Sequence, residues 1–567
     1  MKTTTSNRIR ISLPCNYTPI LSVIISLIIL MIFAGVLTAD FVMWDDDINM
    51  LMNKKSGGIS FKSLYMAFTD FDSMSRYGPL NSVSQIIMYH YFNFNPFGYH
   101  LVNWIFHGLS SGLLFLIIRN FIIIYLKHSE NMTLTQWNIN IAASLATLVW
   151  ALHPLRVEPV AWIAASGHNQ ALFFLLLSTL FYIKAILSES DKNRYIFLIF
   201  SAFIFYTVSL FSQAIGITYF AVLLILDIFL FKRIEGTRRW WKTQTAKRVL
   251  MEKLIFATPA VFAGIMSIVV RIKSAGLSHP PITLSEFGLI DRIIQAMYIT
   301  FYYLWRHLYP VDLAPVYTTL VSFNPLSIPF TSSTLCVIIV SIVLFFFRRK
   351  IPLMAGLWLA YIVLIIPVMG FFEHPHFPVD RYSLFPSICL SILIAFGIIT
   401  IMRNKYFFIS SISVLIITIF ILSILSINQI KVWANTESLL SHTISTLGND
   451  PAKQNIYWRL GKYLYQNGNT EEALINFEKA LAINPYNPSA NIYLARIEYE
   501  NHNLSKSIYH LQKVLITEPN NFFVHYRLSE LFDKLNKKKE ATYYFERAVD
   551  LQRSHHFSQN KNDKSGS

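Results

Sequence analysis

Uninterrupted apolar runs separated by short polar breaks fill residues 1–427, and a polar, periodic pattern takes over from residue 428. The first run, 18–39, follows Lys2, Arg8 and Arg10 and ends at Asp40 without a small-residue cleavage site. It is too long for a signal peptide core and predicts an uncleaved membrane span whose basic flank stays in the cytoplasm. Further runs at 99–126, 139–155, 160–183, 195–211, 215–231, 254–270, 330–347, 351–372, 384–402 and 406–427 bring the expectation to about eleven spans. The stretch 290–310 is apolar but holds Asp291, Arg292, Arg306 and His307, and is predicted to lie in the interface or re-enter.

The polar part repeats itself with a period of 34 residues. Leu460, Leu494 and Leu528 align, as do Gly461, Ala495 and Ser529, then Ala473, Ser507 and Ala541. Phe477, Leu511 and Phe545 follow, then Ala480, Val514 and Ala548, and finally Pro451, Pro485 and Pro519. Small residues at fixed places let paired helices approach, large apolar ones fill between hairpins, and the proline stops the second helix. This spacing resembles the tetratricopeptide repeat and predicts an α-solenoid with repeats at 454–487, 488–521 and 522–552. A half repeat at 433–448 would dock the array on the last span, and a disordered tail would occupy 553–567. The expected domains are therefore a membrane domain at 1–427 and a repeat domain at 428–552, all of it α-helical.

Composition agrees with a chain mostly in lipid: 54% hydrophobic, 14% charged and a mean hydropathy of +0.43. The net charge of +16 comes largely from loops after alternate spans, such as Arg233, Arg238, Arg239, Lys242 and Lys253, or Arg348, Arg349 and Lys350. That is the positive-inside pattern, so the charge calls for no nucleic acid. Parity then puts the repeats outside the cytoplasm. Cys15, Cys336 and Cys389 lie far apart with no Cys-x-x-Cys pair, which excludes a disulfide framework and a cysteine-built zinc site.

Three polar loops carry the chemistry on that outer side. Phe41 to Asn49 holds Asp45, Asp46 and Asp47, where adjacent carboxylates near lipid raise one another's pKa and could supply a general base; a solvated acidic loop is the alternative. The short loop around residues 153–160 packs His153, Arg156 and Glu158 between prolines, as an active-site wall or as an Arg-Glu anchor. In the loop 373–382, Arg381 suits an anionic phosphate unless it bridges to Asp380 or Glu373. His374 and His376 lack a matching ligand pair elsewhere, so no metal is assigned. With no nucleotide-phosphate fingerprint in the sequence, a lipid-borne donor is the simplest one.

These stretches resemble the transmembrane and tetratricopeptide-repeat-containing O-mannosyltransferases and their bacterial relatives, whose membrane domain is of the class C glycosyltransferase type. The matching residues are Phe41-Val-Met-Trp-Asp-Asp46; Tyr77-Gly-Pro-Leu80; Asn95 to Asn103 with His107; His153 to Trp162; Tyr309 to Ala314; and Asp380 to Ser387. The resemblance implies transfer of a sugar from a polyprenyl-phosphate donor to a hydroxyl acceptor, protein or glycan, on the extracytoplasmic face of a bacterial cytoplasmic membrane. Inversion at the anomeric carbon is expected. Asp45 and Asp46 map onto the acidic pair that holds the catalytic base. Arg381, Arg156 and Arg76 would bind the donor phosphate, supported by Glu158, His153, Asp380 and Tyr382. No cofactor is implied, and a divalent cation is left open. The chain departs from the family at Ser166 to Gln170 and at Gln213-Ala214, where charge is lost. Those changes suit the alternative, a membrane-anchored repeat scaffold for envelope proteins with a degenerate transferase domain.

Overall fold

A computed structural model describes residues 17–47, 57–71, 76–128, 134–234, 243–274, 283–371, 373–374, 376–402 and 405–564. Lys2, Arg8, Arg10, Cys15, Asn49, Arg238, Arg239 and Lys242 lie outside them. The described residues are helical and turn, without strands, in two compact units, Met1–Ala434 and Asn435–Ser567.

In the first unit α1 (Thr18–Ile32) is followed by α2 (Phe61–Thr69), α3 (Pro79–Phe92), α4 (Pro96–Lys127), α5 (Gln136–Ala151) and the short α6 (Val157–Ala161). Next come α7 (Ser166–Ile186), α8 (Lys192–Ser212), α9 (Tyr219–Phe229), α10 (Gln244–Ser274) and α11 (Leu289–Leu308). The unit closes with α12 (Ile328–Phe347), α13 (Pro352–Ile365), α14 (Ser387–Ile401) and α15 (Lys405–Val432). Among the described residues six helices are long and apolar enough to cross a membrane, and four shorter apolar ones accompany them, as fits a multi-pass membrane protein. The stretch expected to re-enter is one unbroken amphipathic helix, α11, with Arg292, Gln295 and Tyr303 buried and Ile290, Trp305 and Leu308 exposed.

Two features of this unit were not legible as read. α1 lies against α4 where Gly108 and Gly112 leave room: a Cβ on Gly112 would stand 2.5 Å from Ser26 Oγ, and Ser22 Oγ donates to the Gly112 carbonyl at 3.0 Å. Small residues one turn apart are how membrane helices come close, and here they seat the helix that delivers Asp40 to Asp47. Arg233 and Lys253, read as loop charges, are buried in an ion cluster. Arg233 meets Asp227 at 3.2 Å and Glu252 at 2.9 Å, and Lys253 meets Asp227 at 2.7 Å. Asp227 sits inside an apolar run, so its buried carboxylate needs these cations.

The second unit contains α16 (Thr436–Thr446) and three helical hairpins: α17 (Lys453–Gln466) with α18 (Thr470–Ile483), α19 (Pro488–Glu500) with α20 (Leu504–Thr517), and α21 (Phe522–Lys534) with α22 (Lys538–Lys564). Asn469, Asn487 and Asn521 cap α18, α19 and α21, each side-chain oxygen accepting a backbone N–H of the first turn. The aligned small and large residues form the core: Ala473, Phe477, Ala480 and Val514 are fully buried. Phe545 is the exception, at 49% exposed. α22 continues to Lys564, into the stretch expected to be a disordered tail; no glycine or proline interrupts it before Gly566.

Candidate functional site

After α1 the chain makes a tight turn and re-enters the helical core at Asp46. Asp46 is 1% exposed, and its carboxylate accepts backbone N–H bonds from Val42 at 3.0 Å and Ala164 at 2.9 Å. Burial pushes its pKa up to about 8, against those two N–H groups, which favour the charged form. The neighbouring carboxylates, which the sequence suggested as the cause, add less than burial does. Asp45 is the reverse case: it is exposed, and its φ of 82° puts a non-glycine residue in left-handed backbone. Such a conformation costs energy and persists only where neighbours fix it. Asp46 on its C-terminal side supplies that anchor.

The segment reached by Asp46 leads directly into the second loop. Trp162, two residues before Ala164, has the Arg381 guanidinium 4.7 Å above its ring and Trp433 stacked at 6.0 Å. Arg381 pairs with Glu158, through its guanidinium and through its backbone N–H at 2.9 Å. Neither Asp380 nor Glu373, the partners weighed from sequence, takes that place. Glu158 holds the Arg381 guanidinium above its ordinary pKa in spite of burial. Asp380 is buried too, accepts the Tyr317 hydroxyl at 2.9 Å, and is pushed up to about 8 by burial and by the Glu158 carboxylate.

Arg156 was expected either to meet Glu158 or to bind phosphate. It is fully buried, and its hydrogen bonds go to neutral groups, Ser387 at 3.0 Å, Ser383 at 2.7 Å and His307 Nε2 at 3.2 Å, with the Asp380 carboxylate acting on it through space. Burial pushes its pKa down to about 9. His153 Nδ1 accepts the Leu155 N–H at 3.3 Å, which leaves its Nε2–H to donate to the His307 carbonyl at 3.2 Å. Arg156 and His153 therefore tie the loop to α11 and α14, and Arg156 Nε has no hydrogen-bond partner among the described residues.

Of the three candidate arginines, Arg76 is the exposed one. It donates to the Tyr382 hydroxyl at 3.2 Å. Tyr382 itself stacks on His376 at 6.1 Å and faces His168 at 6.1 Å. Burial would raise the Tyr382 pKa, but Arg76 and Arg381 outweigh it and hold the phenol below its ordinary value. His374 is occupied by Gln295 at 3.0 Å, and His376 by Glu373 at 3.0 Å. Trp162, Tyr317, Ser383, Ser387 and His307 complete the cluster without having been singled out as site residues. Ser383 and Ser387 lie in the Asp380 to Ser387 motif, whereas Tyr317 and His307 carry no local signal.

Two segments, 454–487 and 524–555, match family models described as tetratricopeptide repeat. The chain is 24% identical over 241 residues to "Protein O-mannosyl-transferase tmtc2" of Xenopus laevis, covering 42% of this chain and 26% of that protein. It carries tetratricopeptide repeats and is similar to protein O-mannosyl-transferases. The human TMTC2 protein of that name is 29% identical over 167 residues and the mouse one 27% over 168, each covering 30% of this chain and 18% of its relative. The aligned parts span about a quarter or less of these relatives' length.

Proposed function

We propose that the protein is a membrane glycosyltransferase that moves a sugar, mannose by analogy with its relatives' names, from a polyprenyl-phosphate donor to a serine or threonine hydroxyl. The reaction takes place on the extracytoplasmic face of a bacterial cytoplasmic membrane, and the repeats present the acceptor protein. The observation that carries this reading is the pair of contrasting carboxylates: Asp46 buried and bonded to Val42 and Ala164, Asp45 exposed on the strained residue beside it. In this division Asp45 is the base and Asp46 the post that fixes its direction.

A hydroxyl is a poor nucleophile until a base removes its proton. As the acceptor oxygen bonds to the anomeric carbon, its proton passes to Asp45 and the anomeric carbon–phosphate oxygen bond breaks, with inversion at carbon. The departing polyprenyl phosphate needs cationic stabilisation rather than a proton. Arg76 and the Tyr382 hydroxyl bonded to it are the accessible groups for that task, with Arg381 beneath them held by Glu158. Arg156 and His153 act as structural support, and Asp380 holds Tyr317.

Asp45→Asn should abolish mannosylation of envelope proteins while leaving membrane insertion and the repeats intact, as read by mass spectrometry of glycopeptides against a gene deletion. The scaffold reading draws on one observation: the neutral Ser166 is satisfied locally by Gln85 and Asn81, and the Asn169 amide donates to the Pro159 carbonyl. If the Asp45→Asn strain matches wild type in glycan occupancy yet the deletion loses envelope protein associations, the scaffold is the function.

A further inference from the structure

The last helix of the membrane unit changes character along its length. Phe407, Ile417 and Phe420 of α15 are exposed, whereas Ser426, Gln429, Ile430 and the following Trp433 are buried. Those final turns reach the chain at Leu152, Leu313, Trp162 and Asp40. Ser426 Oγ donates to the Leu152 carbonyl at 2.8 Å, next to His153, and Gln429 donates to the Leu313 carbonyl at 3.1 Å, beyond α11. The Ala434 carbonyl accepts the Asp40 N–H at 2.8 Å, at the start of the loop that carries Asp45. Trp433, 1% exposed, stacks on Trp162, whose other partner is the Arg381 guanidinium.

We infer that Trp433 is a positioning residue for the transfer reaction, and that Trp433 and Ala434 together form a clasp fixing Arg381 and the Asp45 turn relative to one another. The inference rests on the transferase reading of that site. Trp162 is the hinge of the argument: its indole is held by Trp433, it carries Arg381, and two residues later Ala164 donates to Asp46. Without the Trp433 ring, Trp162 has room to tilt, and the cation and the base lose their common reference. A displacement of the order of 1 Å in such an arrangement costs up to about 100-fold in rate. Asn435, the next residue, opens the second unit, so the clasp lies wholly within the first.

The test uses the full-length protein in membranes, with tritiated polyprenyl-phosphate mannose as donor and label entering protein as readout. Trp433→Leu should lower kcat/KM for the donor about tenfold or more per inserted molecule, and Trp433→Phe, which keeps a ring to stack, should recover most of it. A flexible Gly-Ser insert of about six residues between Val432 and Trp433 should do the same as Trp433→Leu, and the same insert between Ala434 and Asn435 should not, because it leaves the clasp in place. Should Trp433→Leu fail to insert, the two insertions decide alone. Wild-type rates in Trp433→Leu, or equal effects of the two insertions, overturn the positioning role while Asp45→Asn remains inactive. If wild-type membranes transfer no mannose at all, the proposed function falls and the positioning role falls with it.

Discussion

Arg381 closes both its guanidinium and its backbone N–H on the carboxylate of Glu158, 223 positions earlier in the chain. Both side chains are buried, so the pair is held by mutual compensation more than by net attraction. Removing one partner alone leaves a buried charge, at a cost of about 3–5 kcal/mol. Arg381→Met should therefore unfold the membrane unit at distinctly lower denaturant, and Arg381→Met with Glu158→Gln should recover much of the loss without recovering transfer. A double variant as unstable as the single one would mean that Arg381 is held by its ring contacts rather than by Glu158.

Asp46 makes the stability of the unit depend on pH with a definite sign. Its pKa lies near 8 in the folded protein against an ordinary 3.8, so between those values the folded state holds a proton that the unfolded chain has released. The contribution is complete below about pH 4 and is lost as pH rises through about 8. Asp380 titrates in the same window and adds a parallel slope. Melting temperatures from pH 5 to 8.5 should fall, and Asp46→Asn should flatten part of that fall while lowering stability throughout. Asparagine can accept only one of the two N–H bonds, and an unmet buried donor costs about 1–3 kcal/mol. An unchanged slope in Asp46→Asn would place the titration elsewhere.

Helices and repeats could be read from the sequence because their signals are local: apolar run length in one case, a 34-residue period in the other. The site was legible only as a set of loops. Which arginine meets which acid depends on how the 153–162 and 380–387 segments cross, and nothing near Arg381 in the chain marks Glu158 as its partner. Exposure was equally hidden. Arg156 and Arg76 look alike as sequence, yet one is sealed between α11 and α14 and the other is open. Asp45 and Asp46 are adjacent and identical in type, and only the turn distinguishes them. Trp433 sits in an ordinary polar boundary, and its role emerges from a stack with a residue 271 positions away.

The seating of α1 on α4 is a second long-range feature that mutation can test. A Cβ on Gly112 would stand 2.9 Å from Ser22 Oγ and 3.1 Å from the Ser22 carbonyl oxygen, and the latter belongs to backbone that cannot turn aside. Gly112→Leu should push α1 outward, cost about 1–3 kcal/mol, and disturb the loop that begins at Asp40. Transfer should fall more than insertion does, compared by activity per inserted molecule. Full activity in a well-inserted Gly112→Leu protein would show that the Asp45 turn is fixed by Asp46 and Ala434 without help from α1.

The repeats match a small residue on one helix to a large one on the next, and the match shifts between copies. In the first copy Gly461 lies under Phe477, where an added Cβ would stand 2.7 Å from the ring; in the second, Ala495 shares a core cluster with Leu511. Phe477 is fully buried and has nowhere to move, so Gly461→Ala should destabilise the repeats by about 1–3 kcal/mol. Phe477→Leu alone should also destabilise them, by leaving a cavity. Together the two changes install the pair that the second copy uses, and the double variant should be more stable than the sum of the single losses predicts. Differential scanning calorimetry of the full-length protein can follow the repeat transition, with proteolysis after Ala434 as an independent readout. Neighbouring residues couple by about 0.5–3 kcal/mol when they share a cavity. Strict additivity would therefore show that glycine is required at 461 for a reason other than the volume of Phe477.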